Sequence, residues 1–475
     1  MERAQKHQPS SQPSVSAKMP GVKRLQGCIN LRSLHATNPQ RYPYLLESTA
    51  QSENTQYSLL FAFPEDFLIL DAKQQLSYND KIITSSNNFL QQLDIKWQQE
   101  RERHDSVSDL PFSGGWFLFL GYELAQQVEP RLSIPMPTDG FPVACAVRIP
   151  AAVIVDHKHH ETILVTEKSG NCDFLKLLEE DIDSLKELGD KKETASKFKI
   201  NVCEENPVSY IDNVAKVKQY IINGDVFQVN LSRRWSAPRP QNLTPYTIYR
   251  NLSETNPAPF SGIMQFPFGA IISSSPERLL NIKEGIANTR PIAGTRPRST
   301  DNDDDNAYKN ELIGHPKERA EHIMLIDLER NDLGRVCEPG SVVVDELMAL
   351  ESYAHVHHIV SNVTGKLRKE VTPGEAIKAV FPGGTITGCP KERCMAIIAE
   401  LEQEARGAYT GSVGYLNHSG NMDLNILIRT ITVTDKEVRF RAGAGLVFDS
   451  VAEKELEETR HKAKGMLLAL GVASD

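Results

Sequence analysis

The sequence predicts an α+β protein. Strand-like and helical stretches follow one another without the regular strand–helix alternation of a doubly wound fold. No segment repeats at the period of roughly 20–50 residues that marks a solenoid or propeller. The closing third of the chain pairs strand patterns, Met422 to Thr434 with Glu437 to Phe448, before a final helical stretch.

Residues 1–20 are rich in Gln, Ser, Pro and Lys and have no apolar centre, so they read as a disordered tail and not as a signal peptide. From about Val22 to Thr166 the pattern is mostly short strands. Tyr57 to Phe63 and Asp66 to Leu70 are two of them, and Asn87 to Glu100 is helical. Phe112 to Tyr122 reads as a buried strand led in by glycines. Ala151 to Val155 and Thr162 to Val165 flank Asp156-His-Lys-His-His, a polar hairpin tip whose histidines have no acidic pattern around them. Cys172 to Leu188 is an amphipathic helix, and the Lys-, Glu- and Asn-rich stretch 189–206 is the candidate linker between an N-terminal lobe (21–188) and a C-terminal one (207–472).

In the second lobe, Tyr210, Val214, Val217 and Ile221 form a helix stripe that ends at Gly224. Asp225 to Ser232 then reads as a strand, with Phe227, Val229 and Leu231 on one face and Gln228 and Asn230 on the other. Gly269 to Ser275 is another strand, Asp301 to Asp305 an acidic loop, Glu311 to Gly334 a helical stretch and Glu453 to Leu470 the closing helix.

The chain of 475 residues can bury a large core, and its 40% hydrophobic and 24% charged content is that of a globular protein. A formal net charge of -9 argues against nucleic acid as the main partner, and any anionic substrate must be held by local cations. Seven cysteines at irregular spacing suggest reduced thiols in a cytoplasmic protein. No apolar run reaches the roughly 20 residues of a membrane helix.

Several stretches carry candidate chemistry. Pro382 to Lys391 (Pro-Gly-Gly-Thr-Ile-Thr-Gly-Cys-Pro-Lys) is a glycine-rich loop opening a helix. Such a loop can present N–H groups to an anion, and it equally suits tight packing. It matches neither the Walker nor the dinucleotide pattern. Glu318 with Glu321, and Glu455 with Glu458, stand at helical i, i+3 spacing, which puts each pair on one face. Two such pairs would suit Mg²⁺, and surface carboxylates at this spacing are also commonplace. Lys462 lies one turn beyond Glu458, within reach of an ion pair. Arg429 sits in a strongly apolar strand pattern, where a buried guanidinium needs an anionic partner. Alternation lets only one of His357 and His358 face a given side.

Together these stretches resemble the chorismate-utilising enzymes: the component I subunits of anthranilate synthase and aminodeoxychorismate synthase, and the isochorismate and salicylate synthases. The resemblance is dense over Pro207 to Gly471. It is carried by Gly224-Asp-Val-Phe-Gln-Val-Asn-Leu-Ser, Ser275-Pro-Glu-Arg, Arg290-Pro-Ile-Ala-Gly-Thr-Arg-Pro-Arg, Ile326-Asp-Leu-Glu-Arg-Asn-Asp-Leu-Gly-Arg, His358-Ile-Val-Ser, Pro382 to Lys391 and Ala442-Gly-Ala-Gly. A thinner match covers Tyr42-Pro-Tyr-Leu-Leu-Glu-Ser and the Gly114 to Tyr122 stretch.

The resemblance implies a two-lobed fold of antiparallel sheets in a sandwich flanked by helices. It implies Mg²⁺ held by Glu321 and Glu458, supported by Glu318 and Glu455, with the ring carboxylate of chorismate beside Thr385 and Gly388. Arg429, Tyr409 and the Gly443–Gly445 backbone would clamp the enolpyruvyl carboxylate, with Lys462 adding positive charge. Glu277 matches the general acid and His358 the histidine near the ring. Gln228 stands where water-using members carry a lysine base, which implies ammonia as nucleophile. Leu46, Glu47 and Ser48 match a tryptophan-binding element.

The wording around Asn256-Pro-Ala-Pro-Phe-Ser-Gly, Ser273-Ser-Ser-Pro-Glu-Arg and Val356-His-His-Ile-Val-Ser is similar to the aminodeoxychorismate synthases. Ala293 is not: many of those carry a lysine there, and anthranilate synthases an alanine. No glutaminase triad is present in the sequence, so the resemblance implies a separate glutamine amidotransferase subunit as ammonia source.

Overall fold

The computed structural model describes residues 21–50, 56–101, 109–167, 173–188, 198–299, 301–352 and 356–472. The proposed tail 1–20 and the first half of the 189–206 stretch lie outside these residues.

Two 12-stranded antiparallel sheets form the frame. The first runs from Gly21–Gln26 through Glu161–Thr166, Ala151–Asp156, Tyr57–Ala62 and Tyr44–Glu47 to Phe260–Phe266, Gly269–Ser275, Thr430–Val433, Glu437–Leu446, Gln228–Pro238 and Cys203–Glu204. The second runs from Ile292–Pro297 through Val356–Lys366, Ile286–Arg290, Arg278–Lys283, Met422–Asn425 and Ser412–Asn417 to Gly115–Leu120, Ala144–Ile149 and Phe67–Leu70. Each sheet takes strands from both sides of the 189–206 stretch.

Alternation explains how these strands build three layers. In Gly115–Leu120, Phe117 and Phe119 face the first sheet, where Tyr44 stacks on Phe117 at 4.2 Å between ring centroids. Leu118 and Leu120 face the other way, onto the helices Phe89–Arg101, Pro316–Gly334 and Pro373–Val380. The strand reads as a continuous apolar run because both faces are covered. The outer face of the first sheet, with Leu60, Ile263 and Phe440, is covered by Pro245–Thr255 and Ala452–Ala469.

Local chemistry sets the helix ends. Pro245, Pro316 and Pro373 occupy the first turns of their helices, where the missing N–H costs nothing. Thr372 and Glu375 complete a capping box. No helix among the described residues is long and apolar enough to cross a membrane.

Four local expectations are corrected. The acidic run at 301–305 is not a loop: Asp301 caps the helix Asn302–Gly314, accepting from the N–H groups of Asp303 and Asp304, and the following acids complement the helix dipole. The helical stretch from Glu311 is two helices, broken at His315 because Pro316 starts the second. Phe227 is not on the buried face, since the strand begins one residue later at Gln228 and leaves it 69% exposed. Arg429 is not in a strand but in the junction between Met422–Asn425 and Thr430–Val433, with φ of 51°.

Candidate active site

The site is built on the pairing of Gln228–Pro238 with Glu437–Leu446, in which Asn230 opposes Gly445 and Ser232 opposes Gly443. Gln228 and Asn230 share a face of their strand and lie over these glycines. A Cβ on Gly445 would come within 2.4 Å of Gln228 Nε2. One on Gly443 would come within 2.7 Å of the Tyr409 hydroxyl and 2.8 Å of Asn230 Oδ1. The Ala442-Gly-Ala-Gly stretch is therefore glycine where polar side chains cross it. On the opposite edge, Gly388 pairs with Val229 at φ +127°, and a Cβ there would lie 2.1 Å from the Gln228 carbonyl oxygen. That glycine holds the Pro382–Lys391 loop against the start of the strand.

Four glutamates come from the helices Pro316–Gly334 and Ala452–Ala469. Gln228 Nε2 donates to Glu321 Oε1 at 2.8 Å. Arg296 pairs with Glu318 at 2.7 Å, and the second oxygen of Glu318 is buried without a hydrogen bond among the described residues. Lys462 pairs with Glu458 at 2.8 Å and donates to the Gly443 carbonyl at 3.1 Å. Glu455 and Glu458 both raise the pKa of the buried Tyr210 phenol. Glu321 and Glu458 thus flank the 443–445 segment from opposite helices. An all-oxygen carboxylate set with an orphaned buried oxygen fits a hard cation such as Mg²⁺. The four do not converge as tightly as Asp156, His159 and Glu161 at the 157–160 hairpin tip, whose oxygens and nitrogen lie within 4.8 Å of one another. That tip does have acidic neighbours, contrary to the sequence reading. They are committed elsewhere: Asp156 accepts from His159, Gln56 and two backbone N–H groups, and Glu161 pairs with Arg24.

Glu277 follows the strand Gly269–Ser275 and lies against the Thr385 hydroxyl of the glycine loop. Its carboxyl is buried, and desolvation pushes its pKa up to about 8, with Glu329 adding to the rise and Lys462 opposing it. It is therefore protonated at neutral pH. His358 is also buried, and desolvation with the nearby Arg429 lowers its pKa to about 4, so it is a neutral ring. His357, the next residue back, points instead to Asp305 of the Asn302–Gly314 helix at 2.8 Å. Arg429 is half-buried with no ion-pair partner among the described residues, and burial lowers its pKa. Tyr409 is pushed to about 12 by burial.

Leu46, Glu47 and Ser48 lie elsewhere. They line a cavity of about 620 Å³ with Phe260, Arg278 and Arg290, and Glu47 is held by Arg32 at 2.6 Å. Sequence reasoning missed Glu329, buried on the helix that carries Glu318 and Glu321. Its signal was available: a glutamate at helical spacing between Leu325, Ile326 and Leu333 on an apolar face.

A neutral buried carboxyl, an unpaired guanidinium and two helices of carboxylates around a glycine-lined strand edge suit a small, polyanionic substrate that loses a poor leaving group. The model of the chorismate binding enzymes matches residues 41–468, and the chain belongs to that enzyme family. The chain is 42% identical over 388 residues to aminodeoxychorismate synthase component 1 of Bacillus subtilis, covering 80% of this chain and 82% of that protein. It is 36% identical over 459 residues to anthranilate synthase component 1 of Acetivibrio thermocellus, covering 91% and 90%. The crystal structure of anthranilate synthase component I from Streptococcus pneumoniae superposes with a TM-score of 0.78 at 34% identity, over 88% of this chain and 93% of that one.

Proposed function

We propose that the chain converts chorismate and ammonia to 4-amino-4-deoxychorismate, as component I of an aminodeoxychorismate synthase. Buried Gln228 is the observation that carries an amination. Its amide nitrogen is spent on Glu321, and it offers no base that could activate water. Ammonia is nucleophilic without one. A glutamine amidotransferase subunit would supply it.

In this reading Arg429, Tyr409 and the 443–445 backbone hold the enolpyruvyl carboxylate, and the ring carboxylate lies beside Thr385 and Gly388. Glu321 and Glu458 would hold Mg²⁺, with Glu318 and Glu455 in support, and the ion would supply positive charge for the ring carboxylate. Glu277, held neutral, gives its proton to the departing 4-hydroxyl, which leaves as water while the new C–N bond forms. The proton then lost by the added nitrogen restores the neutral acid. His358 acts as a neutral hydrogen-bonding ring, and Lys462 balances the charge left on Glu277.

The Asn256, Ser273 and Val356 blocks and the Bacillus subtilis relative support the aminodeoxychorismate product. One observation favours anthranilate instead. Ala293, buried in Ile292–Pro297 opposite Ile359, cannot add to the ring as a lysine would. Purified protein with chorismate, Mg²⁺ and ammonium salt at alkaline pH decides between them. 4-Aminobenzoate formed only after adding an aminodeoxychorismate lyase supports the proposal. Fluorescent anthranilate formed without the lyase overturns it in favour of the second reading.

A further inference from the structure

One buried guanidinium ties three walls of the pocket together. Arg406 is 4% exposed, and each of its five N–H groups has an acceptor. Nε and Nη2 donate to Glu402 at 2.9 and 2.6 Å. Nη2 also donates to the Asn230 carbonyl at 2.8 Å. Nη1 donates to the Ile386 carbonyl at 3.2 Å and to the Thr410 hydroxyl at 3.3 Å. The guanidinium carbon lies 5.5 Å from the centre of the Tyr409 ring. The strand that carries Gln228, the loop that carries Thr385 and the turn that carries Tyr409 are therefore fastened by one side chain.

That turn is strained. Thr410 is β-branched and stands at φ 62°, a conformation that persists only where the surroundings hold it. Its N–H donates to the Leu427 carbonyl at 2.8 Å, and its hydroxyl accepts from Arg406. The N-terminal half of the chain supplies a second restraint. Glu123, fully buried, accepts from the backbone N–H groups of Arg406 and Gly407 at 2.7 and 3.0 Å. The Tyr122 N–H donates to the Gly407 carbonyl at 2.9 Å.

We infer that Arg406 is a positioning residue for the substrate: its five-donor fork, seated by Glu123, holds Tyr409 in register with the glycine loop and the Gln228 strand. This rests on the reading of Tyr409 as part of the clamp on the enolpyruvyl carboxylate. Arginine suits the task because its donors are spread over a rigid plane and reach acceptors on separate segments, whereas a lysine ammonium is a point on a flexible stem. Glu402 does not depend on Arg406 alone. Arg441 meets it at 3.1 Å, and the Ser232 N–H and hydroxyl donate to it at 2.9 and 2.8 Å. Loss of the fork therefore leaves no uncompensated buried carboxylate.

The test uses Arg406→Lys, which keeps the charge and a partner in Glu402 and loses the fork. Chorismate binding is measured by calorimetric titration with Mg²⁺ and without ammonia, so amination cannot proceed. Arg406→Lys and Tyr409→Phe should each weaken binding about tenfold, and the double variant no further, because both act on one contact. Losses that multiply to about a hundredfold, or parental affinity in Arg406→Lys, overturn the inference. A readout that needs no substrate separates it from the clamp reading. Amide hydrogen exchange followed by mass spectrometry should quicken in residues 383–389 and 407–411 of Arg406→Lys and stay parental in the strand Ala151–Asp156. Glu123→Ala should quicken 407–411 in the same way. Exchange that quickens uniformly along the chain, or nowhere, overturns the positioning role. No chorismate binding by the parent, with the local exchange pattern present, would count against the clamp reading and leave the positioning role standing.

Discussion

Gln228 and Glu321 are joined by a 2.8 Å hydrogen bond that links the strand Gln228–Pro238 to the helix of metal-candidate carboxylates. The donor must be Nε2, because a carboxylate only accepts. The amide oxygen of Gln228 is therefore turned the other way, buried and without a hydrogen-bond partner among the described residues, where it can accept from an incoming N–H.

Gln228→Lys should convert this contact into a Lys–Glu pair with a basic amine beside the proposed nucleophile site. Amination should fall about tenfold or more, and a hydroxylated chorismate isomer should appear on product chromatography. Loss of every product with none gained would leave the assigned role of Gln228 unsupported.

Glu321→Gln should remove the proposed Mg²⁺ ligand and keep the fold, since the amide can still meet Gln228. Calorimetric titration with Mg²⁺ should lose its binding signal, and turnover should stop responding to the metal. Full Mg²⁺-dependent activity in this variant would remove Glu321 from the metal site.

The pH behaviour of Glu277 has a defined sign. Its folded pKa, about 8, lies above the ordinary carboxyl value, so the unfolded chain releases the proton first. Its contribution to stability is fully present below the unfolded pKa and is lost as pH rises through the folded one. Between about pH 4.5 and 8 the cost grows by about 1.4 kcal/mol per unit. Glu277→Gln should thus melt progressively higher than the parent as pH rises through this window, while kcat falls about 10²- to 10⁴-fold. A pH-independent difference in melting temperature would refute the neutral buried acid.

Much of this was legible in the residues themselves. The i, i+3 glutamates, the strand placing Gln228 and Asn230 on one face, and the split between His357 and His358 all follow from period and spacing. The rest needed three dimensions. The interleaving of strands from both halves in each sheet leaves no local signal, because register between distant strands is set by packing and not by sequence neighbours. The helix at Asn302–Gly314 was hidden because capping and dipole effects reward an acidic run that composition alone reads as a solvated loop. Glu329 passed unnoticed because burial, which gives a carboxyl its unusual proton affinity, is not visible in one helix face.

Arg429 carries its charge into the site with no anionic partner among the described residues, so its burial cost is offset when an anion arrives. Arg429→Met should raise the melting temperature while weakening substrate binding. Loss of a charge-assisted contact of about 1.5–3 kcal/mol corresponds to a rise of about 10- to 100-fold in KM for chorismate. Steady-state kinetics beside thermal melts check both halves. A lower melting temperature with unchanged KM would mean the guanidinium serves the fold and not the substrate.

The cavity of about 620 Å³ at Leu46, Glu47 and Ser48 has the mixed lining an amino acid with a large aromatic side chain requires. Leu46, Leu59 and Phe260 offer apolar contact, and its charged groups can meet an amino group and a carboxylate. Several of those charges are already paired, Arg278 with Asp423 at 2.8 Å and Arg290 with Glu351 at 2.6 Å, so a ligand must fit between pairs and not break them. Tryptophan should therefore raise the melting temperature, with a gain of about 2.7 kcal/mol at a hundredfold excess over Kd. Ser48→Phe should fill the cavity and abolish that gain, and turnover with ammonium should stay within about twofold because no proposed catalytic group lines it. Inhibition of the parent by tryptophan, lost in Ser48→Phe, would make this a regulatory site and strengthen the anthranilate reading. Stabilisation without inhibition would make it a structural ligand site compatible with aminodeoxychorismate synthesis. No stabilisation at any concentration would withdraw Leu46, Glu47 and Ser48 as a tryptophan site.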